Sequence, residues 1–251
     1  MVFQAFVNYP NWTVAQNIAS PLIAGPLNDR KRLPKTDIDA RVRELATLVK
    51  IDHLLERMPN ELSGGQQQRL AIARALAKEP AVLVMDEPFV NIDFKLREAL
   101  NTELRSLVDN TQVSLLFTTS DPADALALAD QLLLLDKHTV LQQGKPLDLY
   151  LKPRNLAAAN LLSDPAVNCV SPTSYVRPDH VKVLDNGEAS SFSAHLRAVE
   201  TNGAESYLHA DVDLPDGIQE WVIKTSGIVN AEIDAPIHLG VDSRDLLSVA
   251  P

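Results

Sequence analysis

The chain cannot form an internal disulfide. Only Cys169 of its 251 residues is a cysteine, so a reducing, cytoplasmic setting is expected. It has no apolar run near the ~20 residues that a membrane-spanning helix needs. Its opening, "MVFQAFVNYP", shows neither the basic nor the long apolar segment of a secretory leader. It also lacks a basic excess. Lys and Arg number 23 against 33 Asp and Glu, a net charge of −10, which argues against a nucleic-acid partner because phosphate binding needs a basic footprint. The deficit is uneven: residues 171–251 hold 5 basic and 13 acidic side chains, a balance of −8, and the first 170 residues carry the other −2. Hydrophobic residues make up 45% and charged ones 22%, the balance of a soluble globular chain long enough for one large domain or two smaller ones.

Periodicity then sets the organisation. "TDIDARVRELATLVKIDHLLERM" places Ile38, Val42, Leu45, Leu48 and Val49 at helical spacing. "AVLVMD" (81–86) is a continuous apolar run, as expected of a strand covered on both faces, and "VSLLFTT" (113–119) is a second. Asp93 can cap a helix carrying Leu96, Leu100, Leu104 and Leu107. Asp121 and Pro122 suit the N-cap and first position of another helix, and "QLLLLD" reads as a third strand. Strands alternating with helices imply a parallel α/β architecture. From about residue 150 prolines at 153, 165, 172 and 178 interrupt the chain. Short runs such as "SAHLRAV", "ESYLHADVDL" and "EWVIK" then read as a small all-β domain.

Two strings carry chemistry. "ELSGGQQQRLAIARAL" (61–76) opens on a Ser-Gly-Gly turn and continues as a helix offering Leu70, Ile72, Ala73 and Ala77 for packing. Ser63 would cap it, the glycines would let a ligand approach the backbone, and a helix N-terminus attracts anions. "SGG" alone is equally a plain turn. "VLVMDEPF" ends an apolar strand on two acids, at the sheet edge where ligands bind in open α/β folds. Asp86 suits Mg²⁺ and Glu87 suits polarising a water for attack on phosphorus, although Asp-Glu-Pro in isolation is also a solvated turn.

Taken together, these strings resemble the ATP-binding cassette (ABC) ATPases. "LSGGQ" (Leu62, Ser63, Gly64, Gly65, Gln66) is similar to the signature motif, which contacts the nucleotide of a second subunit. "VLVMDE" resembles the Walker B strand, with Asp86 toward Mg²⁺ and Glu87 catalytic. "NID" resembles the D-loop, with Asp93, and "VFQ" the Q-loop, with Gln4 sensing Mg²⁺ and the attacking water. "GKPLDLYLKPRNLAAANLLSDPAVN" (144–168), "VRPDHVKV" and "GAESYLHADV" are similar to the linker and tail of maltose-type sugar and polyol importers. "NYPNWTVAQNIASPL" looks most like importers of glycerol or glycerol phosphate.

The resemblance implies a partial P-loop NTPase parallel sheet with a helical subdomain over residues 1–151, a linker over 152–175, and an OB-like barrel of regulatory type over 176–251. It implies ATP and Mg²⁺ as cofactors, and as partners a second ATPase subunit, integral membrane permease subunits and, indirectly, a periplasmic solute-binding protein. The place of work would be the cytoplasmic face of the inner membrane. The segment Gln4–Leu22, with Phe6, Tyr9, Trp12 and Val14, would face the permease.

The departures are equally specific. Nine glycines stand at 25, 64, 65, 144, 187, 203, 217, 227 and 240, and none belongs to a G-x-x-x-x-G-K-[ST] loop. The sequence therefore reads as an ATPase subunit that begins at the Q-loop. "AVLVMD" is expected to lose neighbours and leave a hydrophobic edge. Ser120 takes the place of the family's switch histidine, which donates to the γ-phosphate. Serine is shorter and uncharged, and losing one such donor costs ~10²–10³ in rate. Alternatively Ser120 only helps to cap the helix that follows. Three functions compete: an importer ATPase, a non-catalytic subunit lending its signature to a complete paralogue, and a soluble ATPase of translation or DNA repair, which would not carry this tail.

Overall fold

The structure, a computed structural model, describes residues 1–23, 34–89, 94–111, 113–184 and 192–249. They form two compact units, Met1–Leu128 and Ala129–Pro251.

The first unit runs α1 (Val14–Ile23), α2 (Lys35–Leu48), α3 (Gly64–Leu76), β1 (Val82–Met85), α4 (Phe94–Asn110), β2 (Ser114–Phe117) and α5 (Pro122–Leu128). Helical spacing on α3 buries Leu70, Ile72 and Ala73, with Ala77 just past its end. They join Val14 and Ile18 of α1 and Val42 and Leu45 of α2 in one core. Leu48 departs from the expected stripe and lies 38% exposed.

β1 and β2 pair in parallel from Val82↔Ser114 to Met85↔Phe117. On the other side of β1, Val2 bridges Met85; its N–H donates to the Val84 carbonyl at 2.7 Å, and the Asp86 N–H returns to Val2 O at 3.0 Å. β1 therefore has a neighbour on each side, and the expectation that it loses them is corrected. Of this pair, the strand with one neighbour among the described residues is β2, where Leu116 is exposed. Nor are these strands covered on both faces. β1 buries Leu83 and Met85, while Val82 on the other face is exposed.

The second unit opens on β3 (Leu132–Asp136) and β4 (Thr139–Gly144), an antiparallel hairpin. "QLLLLD" is thus a strand, but it folds back on its successor and is not paired with β1 or β2. The turning residues Lys137 and His138 both have positive φ (44° and 66°), the geometry of a type I′ turn. Neither is the Asn or Gly that would signal such a turn in sequence.

Helices α6 (Pro146–Leu151) and α7 (Leu156–Leu161) follow, then β5 (Asn168–Ser171), β6 (Ser174–Val176), β7 (Val181–Leu184), β8 (Phe192–Thr201), β9 (Glu205–Leu214), β10 (Gly217–Ser226), β11 (Pro236–Val241) and β12 (Leu246–Ser248). They make a five-stranded sheet, β10-β9-β8-β11-β7, and a three-stranded sheet, β12-β6-β5. The all-β character expected of this part is present, and no closed barrel of the OB-like kind forms among the described residues. Between β5 and β10 the ladder is replaced by one side chain: Asn168 donates to Val222 O at 2.8 Å and accepts from the Val222 N–H at 2.9 Å. Trp221, fully buried in this unit's core, donates its indole N–H to Cys169 O at 2.9 Å across the same seam.

Candidate functional site

The parallel pairing brings Asp86 and Glu87 past the C-terminal end of β1, beside Thr118, Thr119 and Ser120 past the end of β2. Thr118 joins the two strands. Its hydroxyl donates to Asp86 Oδ1 at 2.8 Å and accepts from the Glu87 N–H at 3.0 Å. Glu87 has φ of 43°, a sparsely populated conformation for a residue with a side chain and one that structures retain mainly at functional turns. Ser120 turns toward it: the hydroxyl donates to Glu87 Oε2 at 3.4 Å. Capping of α5 falls to Asp121, whose Oδ1 accepts from the Ala123 N–H at 2.8 Å, and not to Ser120. The parallel bridge at Val2 sends the chain past the same sheet edge, so Gln4 follows on the side of Asp86 and Glu87 and is exposed. Asp93 lies outside the described residues.

The Ser63 turn is a second feature of the same unit. Ser63 is extended (φ −65°, ψ 162°) and its hydroxyl accepts from the Gln66 N–H at 3.4 Å; the Gln66 side chain accepts from the Ser63 N–H at 2.9 Å. This reciprocal capping box fixes the first turn of α3. Ser63 and Gly64 are exposed, Gly65 and Leu62 are buried. A Cβ placed on Gly64 would meet nothing within 4 Å, so packing within this chain does not require glycine there.

Several residues that sequence reasoning passed over hold these turns in place. Asn17, fully buried on α1, accepts from the Tyr9 N–H at 2.9 Å and donates to the carbonyls of Tyr9, Trp12 and Thr13 at 2.9–3.1 Å. Arg74 of α3 donates to Val7 O at 2.6 Å and stacks over the Tyr9 ring at 4.3 Å. Together they pin the loop that follows Gln4. Val7, Tyr9 and Trp12 of that loop, and Phe3 just ahead of Gln4, are exposed to solvent, Tyr9 and Trp12 as a ring pair 4.6 Å apart. Phe6 is half-buried and Val14 is fully buried, so Val14 is not part of this surface.

Behind Ser120, Arg97 of α4 pairs with Asp121 and lies 3.7 Å from Asp124, which Asn101 also contacts at 3.2 Å. Burial holds the Asp124 carboxyl above the ordinary carboxylate range, opposed by the Asn101 hydrogen bond and the Arg97 charge. A carboxyl raised in the folded chain holds its proton more tightly there than in the unfolded chain. Its contribution to stability is therefore present at low pH and lost as pH rises through the ordinary carboxylate value toward the raised one. Asp124→Asn is expected to flatten the dependence of the urea midpoint on pH as pH rises above the ordinary carboxylate value of about 4. An unchanged slope would assign the dependence to other groups.

The first unit thus carries a strand pair ending in Asp-Glu beside a hydroxyl-rich strand end, together with a capped Ser-Gly-Gly helix. Comparisons with known proteins give the class. The family model for ABC transporters matches residues 1–90. The sn-glycerol-3-phosphate import ATP-binding protein UgpC of Brucella abortus is 34% identical over 269 residues, which covers 98% of this chain and 74% of that protein. The spermidine/putrescine import ATP-binding protein PotA of Pseudomonas fluorescens is 42% identical over 163 residues, covering 65% of this chain and 43% of that protein.

Among solved structures, a dimeric ATP-binding cassette in a post-hydrolysis state bound to ADP and Pi matches with a TM-score of 0.50 at 30% identity, over 58% of this chain and 61% of that one. The cbiO1 protein of Clostridium perfringens, part of the ABC transporter complex cbiONQ, matches with a TM-score of 0.53 at 26% identity, over 59% and 57%. This chain thus spans about three fifths of the solved cassettes it matches. The chain belongs to the ABC transporter ATP-binding family and is by family an ABC-type ATPase subunit. No helix among the described residues is long and apolar enough to cross a membrane.

Proposed function

We propose that this chain is an ATP-binding subunit of an ABC importer whose Ser63–Gly65 turn faces an ATP held by a second ATP-binding subunit. The observation that carries this reading is the turn itself. It is exposed, its shape is fixed by its own capping box, and Gly64 leaves open a space that no neighbour in the chain uses. The amides of the first helical turn, at the positive end of the helix dipole, and the Ser63 hydroxyl suit a phosphate brought from outside. The cargo we assign is a sugar, a polyol such as glycerol, or glycerol phosphate. Support comes from relatives named for glycerol-phosphate import, which align over 98% of this chain; a relative named for spermidine/putrescine import aligns over 96% of it.

Mg²⁺ fits the strand-end acids. Asp86, Glu87 and Gln4 are hard oxygen donors, and one or two carboxylates completed by nucleotide phosphates is the usual way this ion is held. Asp86 and Gln4 would hold the ion, which neutralises phosphate charge when bound. Glu87 would orient an attacking water only where its half-site is completed by a G-x-x-x-x-G-K-[ST] loop.

A second reading, a non-catalytic subunit lending its Ser63 turn to a complete paralogue, is favoured by Ser120. At the switch position Ser120 offers a short neutral hydroxyl, turned toward Glu87. Under both readings the chain lies on the cytoplasmic face of the membrane, contacts permease subunits and through them a solute-binding protein, and binds no nucleic acid. Phe3, Val7, Tyr9 and Trp12 are the apolar surface for the permease. A photo-crosslinking residue at Trp12 is expected to capture a permease subunit in native membranes. If it captures none while the complex is intact, this docking face is wrong.

A further inference from the structure

Gln68 is fully buried on the second turn of α3, five residues past Ser63. Its Nε2 donates to the carbonyl of Pro88 at 2.6 Å, spanning twenty positions of sequence to reach the residue after Glu87. Its Oε1 is buried with no hydrogen-bond partner among the described residues. An apolar side chain of similar length, such as methionine, would fill the same space without that unpaired oxygen. The carboxamide therefore accepts a cost that only the bond to Pro88 offsets.

The receiving turn is held from two further directions. Thr118 accepts the Glu87 N–H at 3.0 Å, and Phe89, buried, meets Phe117 of β2 edge-on with ring centroids 6.3 Å apart. Pro88 is itself buried, so water does not substitute for the amide. The capping box at one end of α3 and the strained turn at Glu87 are thus joined by one short hydrogen bond in a place without solvent, where such bonds are strong and directional.

We infer that Gln68 is a positioning residue that fixes the Ser63 turn to the Asp86–Pro88 turn, so that the half-site offered to a partner's nucleotide and the half-site facing this chain's own move as one body. The inference rests on the reading that Ser63 serves a second subunit's ATP. Because the tether aims Ser63 and does not itself touch nucleotide, its loss should lower turnover more than ATP affinity.

The test uses the assembled complex of this chain, a complete ATP-binding subunit and the permease, with MgATP as substrate. Gln68→Met and Gln68→Leu should each lower kcat by about 10-fold to 100-fold and leave KM for ATP within about 2-fold. Deuterium exchange at the amides of Glu87 and Phe89 should slow in the wild-type complex when ATP and orthovanadate trap the partner's site. It should fail to slow in the Gln68→Met complex. Ser63→Arg is the control for the underlying reading. If it leaves hydrolysis intact, the assignment of the Ser63 turn is at fault. If it stops hydrolysis while both Gln68 variants keep wild-type kcat, the positioning role is refuted. Should both Gln68 variants fail to fold, the wild-type exchange decides alone: no response at residues 87–89 on trapping would refute the inference.

Discussion

In a complex reconstituted from this 251-residue chain and a complete ATP-binding subunit, Ser63→Arg is expected to abolish ATP hydrolysis, and Glu87→Gln to leave it nearly unchanged. The arginine removes the hydroxyl that caps α3, fills the open space over Gly64, and sets a cation at the positive end of the helix dipole. Loss of an N-cap costs about 1 kcal/mol, too little to unfold a helix whose buried face carries Leu70, Ile72 and Ala73. A loss of ~10²–10³ or more in rate would therefore report lost donors on the transferring phosphate and not lost structure. Glu87 faces the other half-site, to which these 251 residues contribute no G-x-x-x-x-G-K-[ST] loop and, at the switch position, a serine hydroxyl. If Glu87→Gln stopped hydrolysis and Ser63→Arg did not, the roles of the two turns would be reversed.

The second large effect concerns stability. Arg177, 1% exposed, donates to Leu162 O at 2.9 Å and to Tyr150 O at 2.8 Å, and its guanidinium lies 3.7 Å from the centre of the Tyr150 ring. The two carbonyls belong to the C-terminal ends of α7 and α6, where a cation suits the helix dipoles. Burial pulls the guanidinium below its ordinary pKa, with Tyr150 and Asp179 opposing the drop, and it stays charged at neutral pH. Arg177→Met leaves both carbonyls without a donor and should destabilise the second unit by about 3 kcal/mol. Arg177→Lys should not restore it, because a single ammonium cannot reproduce the fork. Urea unfolding followed by Trp221 fluorescence reads this unit, since Trp221 is buried there. A shift below about 0.5 kcal/mol would mean that Arg177 is a passenger.

How far the sequence disclosed these features follows from how local each one is. The apolar stripe of α3, the cap at Ser63 and the alternation of β8 to β10 depend on neighbours within a few residues, and all are legible. So were Asp86, Glu87 and Ser120, which share one edge because two parallel strands end in step. What escaped was held by polar side chains reaching far along the chain: Gln68 to Pro88, Arg177 to Tyr150, Asn168 to Val222. A faint signal existed for two residues. Gln68 and Asn17 are polar at positions where helical spacing calls for burial, beside Ile72 and Ile18. The β3–β4 hairpin was misread because Lys137 and His138 adopt positive φ without glycine or asparagine. A closed barrel was not found among the described residues, where β5 and β10 are joined through the Asn168 side chain.

The central claim, that the Ser63 turn lies against a second subunit's phosphate site, is tested most directly by proximity. Place a cysteine at Ser63 in a Cys169→Ser background and another in the phosphate-binding loop of the complete subunit, then oxidise with ATP and orthovanadate bound. Disulfides form only where Cα atoms come within roughly 7 Å. The account predicts a cross-linked pair that forms with trapped nucleotide and not without it. A complex that hydrolyses ATP yet never forms this bond would contradict the account.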